Sequence, residues 1–188
     1  MRDIEKDIRE HWFPEHKAVL TDCGDMKVLQ WSKAGTNTYM CRYVFDGNKM
    51  YISGDIGTAV FWLTWKAEIH SFNGIHVDYF EEKLDAYSGD RRNYNSKKAV
   101  SRLKEWKKQL GRKKYDKDMF QELIAGAESS SNKSQWAYEY VNGHCHDIVR
   151  ELDQDYWEWI YDIGDEMPAR IHGYLIGLKM ASAQLSNE

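Results

Sequence analysis

Residues 26–53 read MKVLQWSKAGTNTYMCRYVFDGNKMYIS, and the alternation inside this stretch decides the fold class. Val28, Gln30 and Ser32 interleave with Leu29 and Trp31, then Thr38, Met40, Arg42 and Val44 interleave with Tyr39, Cys41, Tyr43 and Phe45. A period of two rich in β-branched and aromatic residues predicts half-buried strands. Lys33-Ala34-Gly35-Thr36-Asn37 and Asp46-Gly47-Asn48 supply turn residues between the runs, and Lys49 to Ser53 returns as the next strand. The expectation is a three-stranded antiparallel meander.

Upstream, Ile4, Ile8 and Trp12 recur at i, i+4, i+8 among charges, which predicts a short amphipathic helix over 3–12, ended by Phe13-Pro14. Downstream, Gly54-Asp55-Ile56-Gly57 breaks the sheet pattern, and the apolar run Ala59 to Leu63 fits either a buried strand or the first turns of a helix. Beyond residue 76 the period is helical: 78–86, then 96–111 capped by Asn95-Ser96, then 116–127, 136–141 and 146–163. A last helix opens at Asp165 and Pro168 and runs to about Leu185. The predicted class is α+β: an N-terminal helix and three-stranded antiparallel meander, followed by a helical C-terminal majority. A chain of 188 residues, 42% hydrophobic, suffices for one core, so a single domain over 1–188 is expected, with 1–75 holding the sheet and 76–188 the helices.

No stretch approaches the roughly 20 apolar residues of a membrane span, and the N-terminus is too charged for a signal peptide, so a cytosolic protein with no membrane partner is expected. Cys23, Cys41 and Cys145 have no metal or disulfide spacing and read as small core residues of a reducing compartment. No cofactor or bound metal is expected. The net charge of −4 conceals a strong partition: residues 1–90 carry −5, residues 91–117 carry 12 basic against 2 acidic side chains, and residues 118–188 carry −9.

Four sets of residues are candidates for functional chemistry. On the 96–111 helix, Ala99, Leu103, Trp106 and Leu110 share one face, while Lys97, Lys104 and Lys108 lie opposite. Arg91 and Arg92 before it, and Arg112, Lys113 and Lys114 after it, extend a basic patch suited to phosphate contacts, or else to the acidic remainder of the same chain. On a 146–163 helix, Asp147, Glu151, Asp155, Glu158 and Asp162 form one carboxylate stripe with a charge about every 5 Å. That density approaches the phosphate spacing of a DNA strand, of about 3.4 Å per charge, so the stripe is a candidate nucleic-acid mimic. Thirdly, His144 and His146 flank Cys145; a zinc site would need further ligands from His70, His76, Asp22 or Cys23, and either histidine suits acid–base chemistry on RNA. Asp22, Asp25 and Asp55, each beside a glycine, suit either a divalent-metal cluster or turn chemistry. Gly173, Gly177 and Ala181, four residues apart, offer a close-approach face for the sheet, another helix or a second copy.

The segments Asp22-Cys23-Gly24-Asp25, Val28-Leu29, Gly35-Thr36-Asn37-Thr38-Tyr39, Arg42-Tyr43-Val44-Phe45-Asp46 and Tyr51-Ile52-Ser53-Gly54-Asp55-Ile56-Gly57 together resemble small proteins of unassigned function carried by phages and prophages of Gram-positive bacteria. The likeness spans about residues 1–90 and transfers no catalytic residue. It implies a setting in which such accessory proteins counter bacterial defence, including Cas9. The function expected from the whole is a phage-encoded, non-enzymatic inhibitor, most concretely an anti-CRISPR protein. Its acidic stripe would meet cationic channels of Cas9 and its basic face the guide RNA. The alternative is a small nuclease or RNA-processing enzyme, with His144, His146 or the Asp22, Asp25, Asp55 set performing the chemistry.

Overall fold

The alternation at 26–53 folds as a sheet, but one of six strands rather than three. In a computed structural model that describes residues 4–110 and 117–187, helix α1 (Ile4–Asp7) continues through a π-helical segment, Ile8–Trp12. Strands β1 (Lys17–Asp22), β2 (Met26–Ser32), β3 (Cys41–Asp46), β4 (Lys49–Gly54) and β5 (Ala59–Trp62) follow. A 3₁₀ turn (Ile69–Phe72) and α2 (Val77–Glu82) precede β6 (Leu84–Tyr87). The six strands pair antiparallel in chain order, so the sheet is a simple up-and-down meander.

Three strands lay outside the predicted meander for identifiable reasons. Strand β1 is almost wholly exposed, with Val19 at 60%, so it shows no in-and-out alternation; its pairing with β2 is set by a turn in which Asp22 Oδ1 accepts the Gly24 N–H at 2.9 Å. The run Ala59–Trp62 resolves as a strand against β4. The predicted helix over 78–86 stops at Lys83, and Leu84 onward leaves it to pair with β5, a tertiary contact overriding a local period.

One face of the sheet buries Leu29, Trp31, Cys41, Tyr43, Phe45, Met50, Ile52 and Phe61. That face receives the last helix, α7 (Ala169–Leu185), which ends where predicted but starts after Pro168 rather than at Asp165, because Asp165 and Glu166 pair as a short strand. Gly177 makes the approach possible: a Cβ there would lie 2.5 Å from the Tyr43 hydroxyl, which donates to the Tyr174 carbonyl. A Cβ on Gly173 would meet Trp12 at 2.9 Å. The small-residue face of α7 is thus used internally. Further bonds pin the helix, including His70 Nδ1 to Ser182 Oγ at 2.8 Å and Gln184 Nε2 to the His16 carbonyl.

The intervening residues build a separate hydrophobic core. After a short strand, β7 (Asn93–Tyr94), come α3 (Ser96–Leu110), α4 (Lys117–Ser129), α5 (Lys133–Gln135), a π-helical segment (Trp136–His144), α6 (His146–Leu152) and two 3₁₀ turns. β8 (Asp165–Glu166) closes the segment by pairing with β7. Ala99, Leu103, Trp106, Phe120, Leu123, Trp136, Val141, Val149 and Ile160 are buried together. The chain therefore divides into two compact units, Met1–Asp90 with Pro168–Glu188, and Arg91–Met167. The expected one-domain division at 75/76 is replaced by breaks after residues 90 and 167. With a helical share of 49% and a strand share of 21%, the class is α+β. No helix among the described residues is long and apolar enough to cross a membrane.

Candidate functional site

Helix α3 has the predicted amphipathic build. The Asn95 side chain accepts the Lys98 N–H at 3.1 Å, satisfying one of the free donors of the first turn, while Ala99, Leu103 and Trp106 turn into the core. Its basic residues then divide by role. Lys98 donates to the Asp165 carbonyl, and Lys107 sits 5.0 Å from the Phe120 ring centroid, a cation over an aromatic face. Lys97, Lys104 and Lys108 remain exposed on the opposite side, and among the described residues no carboxylate pairs with any of the three. Lys97 and Lys104 border a groove of about 360 Å³ with Ser96, Val100, Ser101 and Glu128. Arg92 donates to the Arg91 carbonyl, and both arginines are exposed. Arg112, Lys113 and Lys114 lie outside the described residues.

The carboxylate stripe does not form as predicted. Helix α6 ends at Leu152 because Asp153 turns extended and uses its side chain locally. Its Oδ1 accepts the Asp155 N–H at 3.0 Å and its Oδ2 the Trp159 indole N–H at 3.1 Å, bonds that compete with helix continuation. Residues 156–158 and 160–162 are then separate 3₁₀ turns. Of the five acids, Asp147 and Glu151 lie on α6, Asp155 precedes the first turn, Glu158 lies in it, and Asp162 lies in the second. Asp162 pairs with Lys133, which also reaches Asp165 at 2.8 Å. A continuous row of charges on one helix is therefore absent, and the cation facing Asp162 comes from the acidic segment itself.

The catalytic alternatives also separate. His144 ends the π-helical segment and His146 begins α6; the polar neighbour of His146 is Asp147, at 3.3 Å. Asp22 and Asp25 flank the β1–β2 turn, whereas Asp55 follows Gly54, which pairs through Cys41 to Trp31 at the other end of β2. The three aspartates thus lie at opposite ends of the strands rather than in one cluster. Asp22 caps its own turn, and Asp55 Oδ2 accepts the Tyr39 N–H at 2.7 Å, holding Tyr39 at a φ of 56°. Among the described residues no group of three or more His, Cys, Asp or Glu is placed to hold a metal ion, including His70, His76 and Cys23. Burial raises the thiol of Cys41 to about 12 and that of Cys145 to about 11, so both stay protonated at neutral pH and act as core residues.

Two features had no signal in the sequence. Trp106 and Trp159, 53 positions apart, meet edge to face with centroids 5.0 Å apart and line a cleft of about 370 Å³. Both fall on apolar faces of their segments, which identifies core residues but not their meeting. His16 is buried beside Phe13 and Trp31. In the sequence it sits between Glu15 and Lys17, both exposed, which gives no sign of its burial.

No protein-family model matches the chain, and searches of curated proteins and of solved structures find no match.

Proposed function

We propose that this protein is a non-enzymatic binding module whose lysine face on α3 contacts single-stranded RNA, and that in a phage setting it inhibits Cas9 by engaging the guide-loaded complex. The observation that carries the reading is the set Lys97, Lys104 and Lys108, exposed together with no carboxylate partner among the described residues. Their span is about 16 Å at 1.5 Å per residue, or roughly five nucleotide rises of 3.4 Å. Ser96 and Ser101 in the adjoining groove add hydroxyl donors for phosphate oxygens. Such contacts release counterions and read charge rather than sequence. The dispersed acids take no part in this account.

The test is a titration of labelled single-stranded RNA with the full chain and with a Lys97→Gln/Lys104→Gln/Lys108→Gln variant, alongside target cleavage by guide-loaded Cas9. Binding by the parent, its loss in the variant and parallel loss of inhibition are expected. RNA binding without any effect on Cas9 would retain the binding reading and discard the Cas9 partner. No RNA binding would discard both.

A further inference from the structure

The cleft on the flank of α3 is built for a flat ring, and its polar rim fits one base in particular. Trp106 is held between Phe120, at a centroid distance of 5.5 Å, and Trp159, at 5.0 Å, with the two indoles inclined at 66°. Trp159 is locked in turn, its indole N–H donated to Asp153. Trp106 is only 8% exposed and backs the cleft, which leaves the half-buried Trp159 as the fixed aromatic wall on which a flat base can stack.

Above this wall stand Arg102, Glu105 and Gln109, spaced so that they share one ridge of α3. Arg102 and Glu105 are exposed and only loosely paired, at 3.8 Å. A guanidinium offers a fork of donors and a carboxylate a pair of acceptors. Guanine alone among the bases presents both complements: the O6/N7 edge accepts from an arginine, and the N1–H and exocyclic N2 amine donate to a carboxylate. The cleft volume of about 370 Å³ lies at the small end of ligand sites and suits a single base with its sugar.

We infer that this cleft is a guanine-binding site, in which the ring stacks on Trp159 in front of Trp106, Glu105 accepts from N1–H and N2–H, and Arg102 donates to O6 and N7. The placement on α3 beside the lysine face suggests that the base belongs to a strand whose phosphates lie on Lys104 and Lys108. That last step rests on the proposed RNA reading, whereas the base site itself does not.

The first probe is therefore guanosine, which has no phosphate, followed through the indole N–H resonances of Trp106 and Trp159 in the full chain. Guanosine is expected to shift both, with uridine, cytidine and adenosine about tenfold weaker, as loss of one bidentate pair implies. Glu105→Gln and Arg102→Gln, both at exposed positions, should each remove the preference while thermal melting stays unchanged. Unmoved indole resonances, or equal shifts with all four nucleosides, would overturn the site. The Lys97→Gln/Lys104→Gln/Lys108→Gln variant separates the two claims: it should lose RNA and still bind guanosine. In a final arm, a hexamer with one guanosine among uridines is compared with all-uridine RNA. A gain of about tenfold assigns the base to a strand, and equal affinity with guanosine still bound assigns the site to a free nucleoside.

Discussion

His16 is 3% exposed, packed edge to face on Phe13 and 5.5 Å from the Trp31 ring, and neither ring nitrogen meets a hydrogen-bond partner. Burial lowers its pKa below the ordinary 6.5, opposed in part by the nearby backbone of Thr38 and Tyr39 and aided by the charge of Lys33. The unfolded chain therefore takes up this proton more readily than the folded one. Stability is full above 6.5 and falls as pH drops through 6.5 towards the lower folded value. Melting curves recorded from neutral pH to pH 5 should show that loss, and His16→Phe should flatten it. Asp55 makes a separable case. Its carboxylate holds the Tyr39 N–H, so Asp55→Ala should cost the sheet unit about 1–2 kcal/mol in denaturant melts. Divalent metal or EDTA should leave the parent unmoved, as a turn role requires and a metal role forbids. The turn role was legible in the Gly-Asp pairing. The environment of His16 was not, because its charged neighbours Glu15 and Lys17 read as an exposed stretch and its burial comes from packing on Phe13 and Trp31.

At the scale of elements, α7 shows how far spacing alone can reach. Gly173, Gly177 and Ala181 announce a close-approach face, and the partner turns out to be the Trp31–Tyr43 face of the sheet. Gly177→Ala drives a methyl to 2.5 Å from the Tyr43 hydroxyl, a fully buried group already bonded to Tyr174, and should destabilise by about 1–3 kcal/mol, seen as a lowered denaturation midpoint. Helix α3 was equally legible, since its cap and two faces are local properties of 95–110. The 146–163 segment was not. Its period is helical throughout, yet one side chain, Asp153, accepts two hydrogen bonds that a continuous helix would forgo, and the carboxylate stripe breaks with it. The strands at the margins of the sheet escaped for the complementary reason: β1 and β6 are fixed by pairing, not by alternation.

The whole molecule is organised by insertion. The sheet unit leaves off at Asp90 and resumes at Pro168, and within that unit the two ends are neighbours: Tyr87 bonds the Arg170 side chain, and Gly57 lies beside both Ser88 and Arg170. Replacing 91–167 by a short Gly-Ser linker should therefore give a sheet-and-helix protein that still unfolds cooperatively in denaturant and lacks RNA affinity. The charge partition of the sequence anticipates this division, since the basic run begins at Arg91, where the second unit begins. The most direct measurement of the central claim is the salt dependence of RNA binding. Three lysine–phosphate contacts on a single strand imply a slope of log K against log salt of about −2, or a roughly 15-fold loss of affinity between 50 and 200 mM salt. The parent chain should show that slope, and Lys97→Gln/Lys104→Gln/Lys108→Gln should show no measurable binding at any of these salt concentrations; a variant that binds with the parent's slope, or no binding by either protein, would contradict the lysine–phosphate contacts.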